Sequence, residues 1–241
     1  MGIAIQDVPA GPPSKGGRTA GEFIEVTRHK VRRLGDNIHA MSDAIDHDAL
    51  YRLAESQAGY FTARQALAAG MDRSTLRHHA RPGGRYERVR RGLFRLRHFP
   101  SSPHEHVVAA WLALRGTPAV VSHESALELY DLSDVIPNAV HISLPRAKRG
   151  QRPRPGVRFH TLELPPGPAE IRPFLGMPVT SPERTIVDSL QAGTQPEQIE
   201  LAVHQALDRG LTTPTRLRAA IAGRPARVRR FIERALAGTH S

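Results

Sequence analysis

The 241-residue chain has no cysteine. That removes disulfides, thiolate nucleophiles and Cys-based zinc or iron–sulfur sites together. Lysine is almost missing as well: Lys15, Lys30 and Lys148 are the only ones among 34 basic side chains, and the remainder are arginine. No apolar run approaches the roughly 20 residues that a membrane-spanning helix needs, so no membrane partner is expected. The opening residues lack a charged segment followed by an apolar one, which places the expected chain in the cytoplasm rather than on an export route. Hydrophobic residues make up 39% of the chain, enough for the core of one large domain or two small ones.

What is abundant is positive charge. The formal net charge is +11. Guanidinium forks match phosphate oxygens and guanine edges better than ammonium groups do. A chain this basic, with its charge clustered, points to nucleic acid, the alternative being a solvated charged surface. The clustering is sharpest in DRSTLRHHARPGGRYERVRRGLFRLR, from Asp72 to Arg97, where nine arginines face two acids. Apolar residues are threaded through it (Leu76, Tyr86, Val89, Leu93, Phe94, Leu96), which a disordered basic tail would not need.

Residues 1–41 are rich in Pro, Gly and Ser with little apolar periodicity, and read either as a disordered leader or as sequence upstream of a start at Met41. Ordered sequence begins near Asp46. HDALYRLAESQ puts Leu50 and Leu53 on one side of a short helix. Thr62 then caps a second helix whose apolar face is Ala66 and Leu67, and Gly70 closes it. Asp72 caps a third helix, polar nearly all round, with Leu76 and Ala80 as its apolar anchors. Two helices across a Gly-containing turn have the helix-turn-helix pattern, and a polar second helix suits major-groove contact. RYERVRRGLFRLR reads as a hairpin turning at Arg91-Gly92, with Tyr86, Val89, Phe94 and Leu96 packing inward, which makes it a wing. The candidate DNA-binding residues are therefore Arg73, Ser74, Thr75, Arg77, His78 and Arg81 on and after the helix, and Arg85, Arg88, Arg90 and Arg91 in the hairpin.

The expected fold is α+β: a winged helix-turn-helix over residues 42–100, then a mixed α/β domain over 101–241 ending in a helical bundle. The second half opens with a capping box at Ser102, Pro103 and Glu105, ahead of a buried face of Val107, Ala110, Trp111 and Leu114. Strands are expected near 119–121, 139–144, 156–164 and around Val179; Ser122 and Ser181 are expected to cap helices, and Pro-led helices near 196–208, 214–222 and 225–237 close the chain.

The stretches GRYERVRRGLFRLRHFP, VVSHESALELYDLSDVIP, VHISLPR and GMPVTSPERTIVDSL, in that order and spacing, resemble the AbiEi-type antitoxins of bacterial abortive-infection (type IV) toxin–antitoxin systems over about residues 46–210. The resemblance implies a winged helix-turn-helix that binds double-stranded DNA, as repeats in its own operon's promoter. It also implies a C-terminal domain that counters a cognate nucleotidyltransferase-like toxin, directly or indirectly. A stand-alone regulator whose C-terminal domain senses a ligand or partner is the second reading, and an enzyme with a site in residues 101–241 the third.

Several tempting sites have simpler explanations. His104 and His106 are two apart and point to different helix faces, and H-E-x-x-H is absent, so His104, Glu105, His106, His123, Glu124, His141 and His160 suggest no metal. Ser122, His123 and Asp134 lack the G-x-S-x-G elbow of a hydrolase. In TSPERTIVD, capping by Thr180 or Ser181 and an i,i+4 pair of Arg184 with Asp188 account for each polar residue without a phosphate pocket. No E-x-K signature of a nuclease occurs. No cofactor and no catalysis are expected. The basic loop 146–158 and the arginine-rich tail are read as further DNA or toxin contacts, or as solvated faces.

Overall fold

The computed structural model describes residues 45–238 except 115, 149 and 163–165. The expected leader, with Lys30, Arg32 and Arg33, lies outside the described residues. The chain is a mixed α+β protein with two sheets.

The first sheet is built from short-range signals. Helix α1 (His47–Glu55) starts where the Asp46 carboxylate accepts from the Ala49 N–H at 2.7 Å, and it buries Leu50 and Ala54. The chain then reverses through Ala58 and Gly59, both at positive φ, into strand β1 (Tyr60–Thr62). A side chain at Gly59 would sit 2.6 Å from the Phe99 ring, so only glycine fits there. Thr62 caps helix α2 (Ala63–Ala68) reciprocally: its Oγ1 accepts from the Gln65 N–H while Gln65 Oε1 accepts from the Thr62 N–H. Gly70 ends the turn at φ +82. Helix α3 (Arg73–His79) follows, then strands β2 (Tyr86–Arg90) and β3 (Leu93–Leu96), in the order β1-β3-β2. Phe61 is the centre of this part, stacked on Phe94 and edge-on to Tyr86.

Two expected core residues are not in the core. Leu67 is 39% exposed, because six residues of α2 present one inward row and Ala66 fills it. Val89 is exposed to the same extent and Leu93 is buried instead. The register shifts between Arg88 and Arg90, so Val89 falls at the irregularity with no partner in β3 and leaves the inward row.

The second sheet has the order β6-β5-β4-β8-β7, from strands β4 (Val120–Val121), β5 (Val140–Pro145), β6 (Val157–Leu162), β7 (Ile171–Phe174) and β8 (Met177–Thr180). β4–β8 and β5–β6 are parallel, β4–β5 and β7–β8 antiparallel. Strand β7, which the sequence reading passes over, carries a proline opposite another proline in an edge hairpin. Helix α4 (Glu105–Leu112) starts two residues later than the capping box predicts: the Glu105 carboxylate is bound at 3.0 Å by Arg95 of β3, so it cannot reach back to cap. Helices α5 (His123–Tyr130), α6 (Pro182–Ala192), α7 (Pro196–Asp208), α8 (Pro214–Ile221) and α9 (Ala226–Gly238) complete the chain. α6 to α9 enclose a core around Ile186, Ile199, Leu217 and Ile232. The other core runs across Pro100, joining Tyr60 and Leu93 to Val107, Leu112, Ile142 and Val179. Among the described residues no helix is long and apolar enough to cross a membrane.

Candidate nucleic-acid interface

Asp72 fixes the start of α3. One carboxylate oxygen accepts from the Ser74 and Thr75 N–H groups at 2.6 and 2.9 Å, and both hydroxyls donate to the same carboxylate. These bonds hold the Asp72 carboxyl far below the usual range. Ser74 and Thr75 thus spend their hydroxyls on the cap, while Arg73, Arg77 and His78 stand exposed around it.

The loop from α3 to β2 is tied by two devices. Arg97 donates from Nε to the Gly84 carbonyl at 2.6 Å and from a terminal nitrogen to Tyr86 and Arg81 carbonyls. Gly84 itself passes so close to α3 that a Cβ would lie 2.1 Å from the His79 carbonyl oxygen. Gly84→Ala must therefore push the hairpin away from the helix. We expect it to cost about 1–3 kcal/mol of stability, read as a lowered thermal midpoint.

Between α2, α3 and the hairpin lies a groove of about 1050 Å³. Arg73, Arg77 and Arg81 line one wall and Arg88 and Arg91 the other, over a floor that includes Leu76 and Phe94. Arg64 of α2 adds a sixth guanidinium, and Trp111, Gly116 and Thr117 close the end. His78, Arg85 and Arg90 are exposed but do not line it. Arg64 carried no signal in the sequence, since it stands apart from the arginine-rich stretch. Conversely, Arg95 and Arg97 belong to that stretch but turn inward as structural ties.

A family comparison bears on the elements around this groove. Residues 48–97 match the family described as transcriptional regulator, AbiEi antitoxin. The matched span runs from α1 to the end of the hairpin, about a fifth of the chain. The crystal structure of the RV2827C protein from Mycobacterium tuberculosis is similar over 79% of this chain and 75% of that one, at 19% sequence identity and a TM-score of 0.45. No curated protein matches the chain.

Beyond the span that matches this family, the histidines scattered in the sequence meet in the second half. His123 and His160 stack with centroids 3.6 Å apart, and His160 Nε2 lies 3.3 Å from His141 Nδ1. Ser122 does not cap α5: its Oγ is engaged by Ser143 Oγ at 2.7 Å and His123 Nδ1 at 2.8 Å, because β5 runs beside it in the sheet. Ser122 and His123 are buried whereas Asp134 lies in an exposed loop with its N–H bonded to Gln198. Burial depresses His123 to about 2 and His160 to about 4, with neighbouring imidazoles and Arg158 adding to both. Among the described residues no three His, Asp or Glu are arranged to hold a metal ion. His104 instead packs edge-on to Phe174, and His106 sits 3.9 Å from Glu128.

Ser181 caps α6 and Arg184 pairs with Asp188 at 2.6 Å, as the spacing predicts. The pair is buried, however, and belongs to a larger network: Arg184 also binds Glu170 at 3.1 Å, and Arg224 reaches Asp188 at 3.2 Å.

Proposed function

We propose that residues 42–100 are a winged helix-turn-helix that binds double-stranded DNA at repeats in its own promoter, and that residues 101–241 are the antitoxin domain countering a nucleotidyltransferase-like toxin. The protein is then a cytoplasmic antitoxin and autorepressor without catalysis of its own. The observation that carries the reading is the groove in which α3 and the hairpin set five arginines on facing walls, within the span that matches a regulator family. Arg73 and Arg77 lie one turn apart at the start of α3 and are assigned to base edges. Arg81, Arg85, Arg88, Arg90 and Arg91 follow the phosphates, with His78 beside them. Ser74 and Thr75 position the helix through Asp72.

Titration against operator and scrambled duplex at several salt concentrations tests the assignment. Arg77→Ala is expected to weaken operator binding by about 1–3 kcal/mol and scrambled binding much less. Arg88→Ala is expected to weaken both duplexes alike and flatten the plot of log affinity against log salt by about 0.9. Equal weakening by Arg77→Ala, with loss of sequence preference in Arg88→Ala, would reverse reader and clamp. Co-expression with the neighbouring gene product, scored as growth rescue, tests the antitoxin half.

The second reading, a regulator whose C-terminal half senses a ligand, is favoured by one observation: a polar cavity in that half.

A further inference from the structure

A cavity of about 930 Å³ opens between β6, α6, the end of α8 and the turn at Gly223-Arg224. We infer that it binds a small organic anion carrying a planar ring. The inference stands apart from the DNA-binding reading, because none of its residues lines the arginine groove.

Four features support it. The first is space: Ala192, Ala219, Ala220, Ala222 and Gly223 form one side, so no large side chain fills the volume. Cavities of roughly 300–1,000 Å³ suit drug-sized ligands and far exceed the needs of a single inorganic anion.

The second is a buried ionic network at the wall. Arg184 and Asp188 are 6% and 4% exposed. A buried ion pair adds little net stability over an apolar replacement, so stability alone does not explain it. The network does hold Arg224, whose guanidinium binds Gln191 Oε1 at 2.6 Å and Asp188 Oδ1 at 3.2 Å. Arg224 lines the cavity as an oriented donor.

The third is sign. Arg184 and Arg224 balance Glu170 and Asp188, and Arg158 lies near enough to depress all three histidines. Glu124, 3.7 Å from His141 Nε2, offsets Arg158, so the surroundings are close to neutral overall, and it is the Arg224 guanidinium on the cavity wall that can take an anion.

The fourth is the flat end. The stacked rings of His123 and His160, with Phe159, border the cavity, a surface suited to a planar ring. His123 adopts φ +53, a left-handed conformation that costs a non-glycine residue and concentrates at ligand sites.

The test uses the full chain and two probes, 5′-AMP for a phosphate ester and benzoate for a carboxylate. Adenosine and inorganic phosphate are the ring-only and anion-only controls. At least one probe is expected to raise the melting temperature by about 5–10 °C at a hundredfold excess over its Kd, with both controls binding at least tenfold more weakly. Arg224→Gln removes the oriented cation, and Ala220→Phe obstructs the cavity while keeping the network. Each is expected to weaken probe binding at least tenfold and leave operator affinity unchanged. Which probe binds identifies the anion. The inference is overturned if neither probe binds, if adenosine or inorganic phosphate binds as tightly as the better probe, or if binding survives Ala220→Phe, which would place it outside this cavity.

Discussion

Stability is expected to fall steeply as pH drops from 6.5 to 4, beginning above the range in which carboxylates normally drive acid unfolding. His123 has an ordinary value of 6.5 and is held at about 2 in the fold. The unfolded chain therefore takes up the proton first, and acid favours unfolding. The contribution is complete above about pH 6.5 and is lost progressively below it, down to the folded value. From His123 alone the slope is about 1.4 kcal/mol per pH unit, or about 3 kcal/mol between pH 6.5 and 4. His160, at about 4, and His141, also depressed by burial, act in the same direction. Opposing them, the Glu124 carboxylate, 3.7 Å from His141 Nε2, favours a charged His141, whereas Arg184 and Arg158 disfavour a charged His123. Chemical denaturation at pH 7.5, 6, 5 and 4 measures the slope, and His160→Gln should reduce it. A stability that stays flat from pH 7 to 5 would sink the account.

Asp188→Ala is expected to cost about 3–5 kcal/mol, enough to unfold many single domains. The carboxylate is buried, and burial pushes its carboxyl up, but Arg184 Nε at 2.6 Å and Arg224 at 3.2 Å keep it ionised. Removing it leaves the Arg184 guanidinium buried with only Glu170, which is partly exposed, as its counter-charge. The double variant Asp188→Leu with Arg184→Met deletes both charges and should be less destabilised than Asp188→Ala, because the penalty lies in the orphaned charge rather than in the lost pair. Urea denaturation of the three proteins decides it. A loss under 1 kcal/mol in Asp188→Ala would show that water reaches Arg184 freely.

The proposed boundary at Pro100 also takes on a different character. Tyr60 and Leu93 pack with Val107 and Leu112, and Arg95 ties β3 to Glu105. A fragment that ends at residue 100 would expose this seam, so one extending through Leu114 is the better vehicle for isolating DNA binding.

Local chemistry was legible before any coordinates. Thr62, Asp72 and Ser181 cap the helices their sequences announce, Gly70 stops one where expected, and the Pro-led helices at Pro196 and Pro214 begin on the residue. Each depends on partners within about four positions, which a linear reading contains. The arginine cluster was visible for the same reason, as was the regulator resemblance of residues 48–97. Charge density did not reveal direction: Arg95 and Arg97 turn inward, and Arg64 joins the groove from outside the cluster. Ser122 reads as a cap until β5 supplies Ser143, 21 positions away. The three histidines, and the network of Glu170, Arg184 and Arg224, are separated by 14 residues or more and meet only when the five-stranded sheet and the helices packed on it close over them. Periodicity says which face of an element is apolar; it is the packing partner, distant in sequence, that decides whether a polar side chain on that element meets water, an ion of opposite charge, or another imidazole.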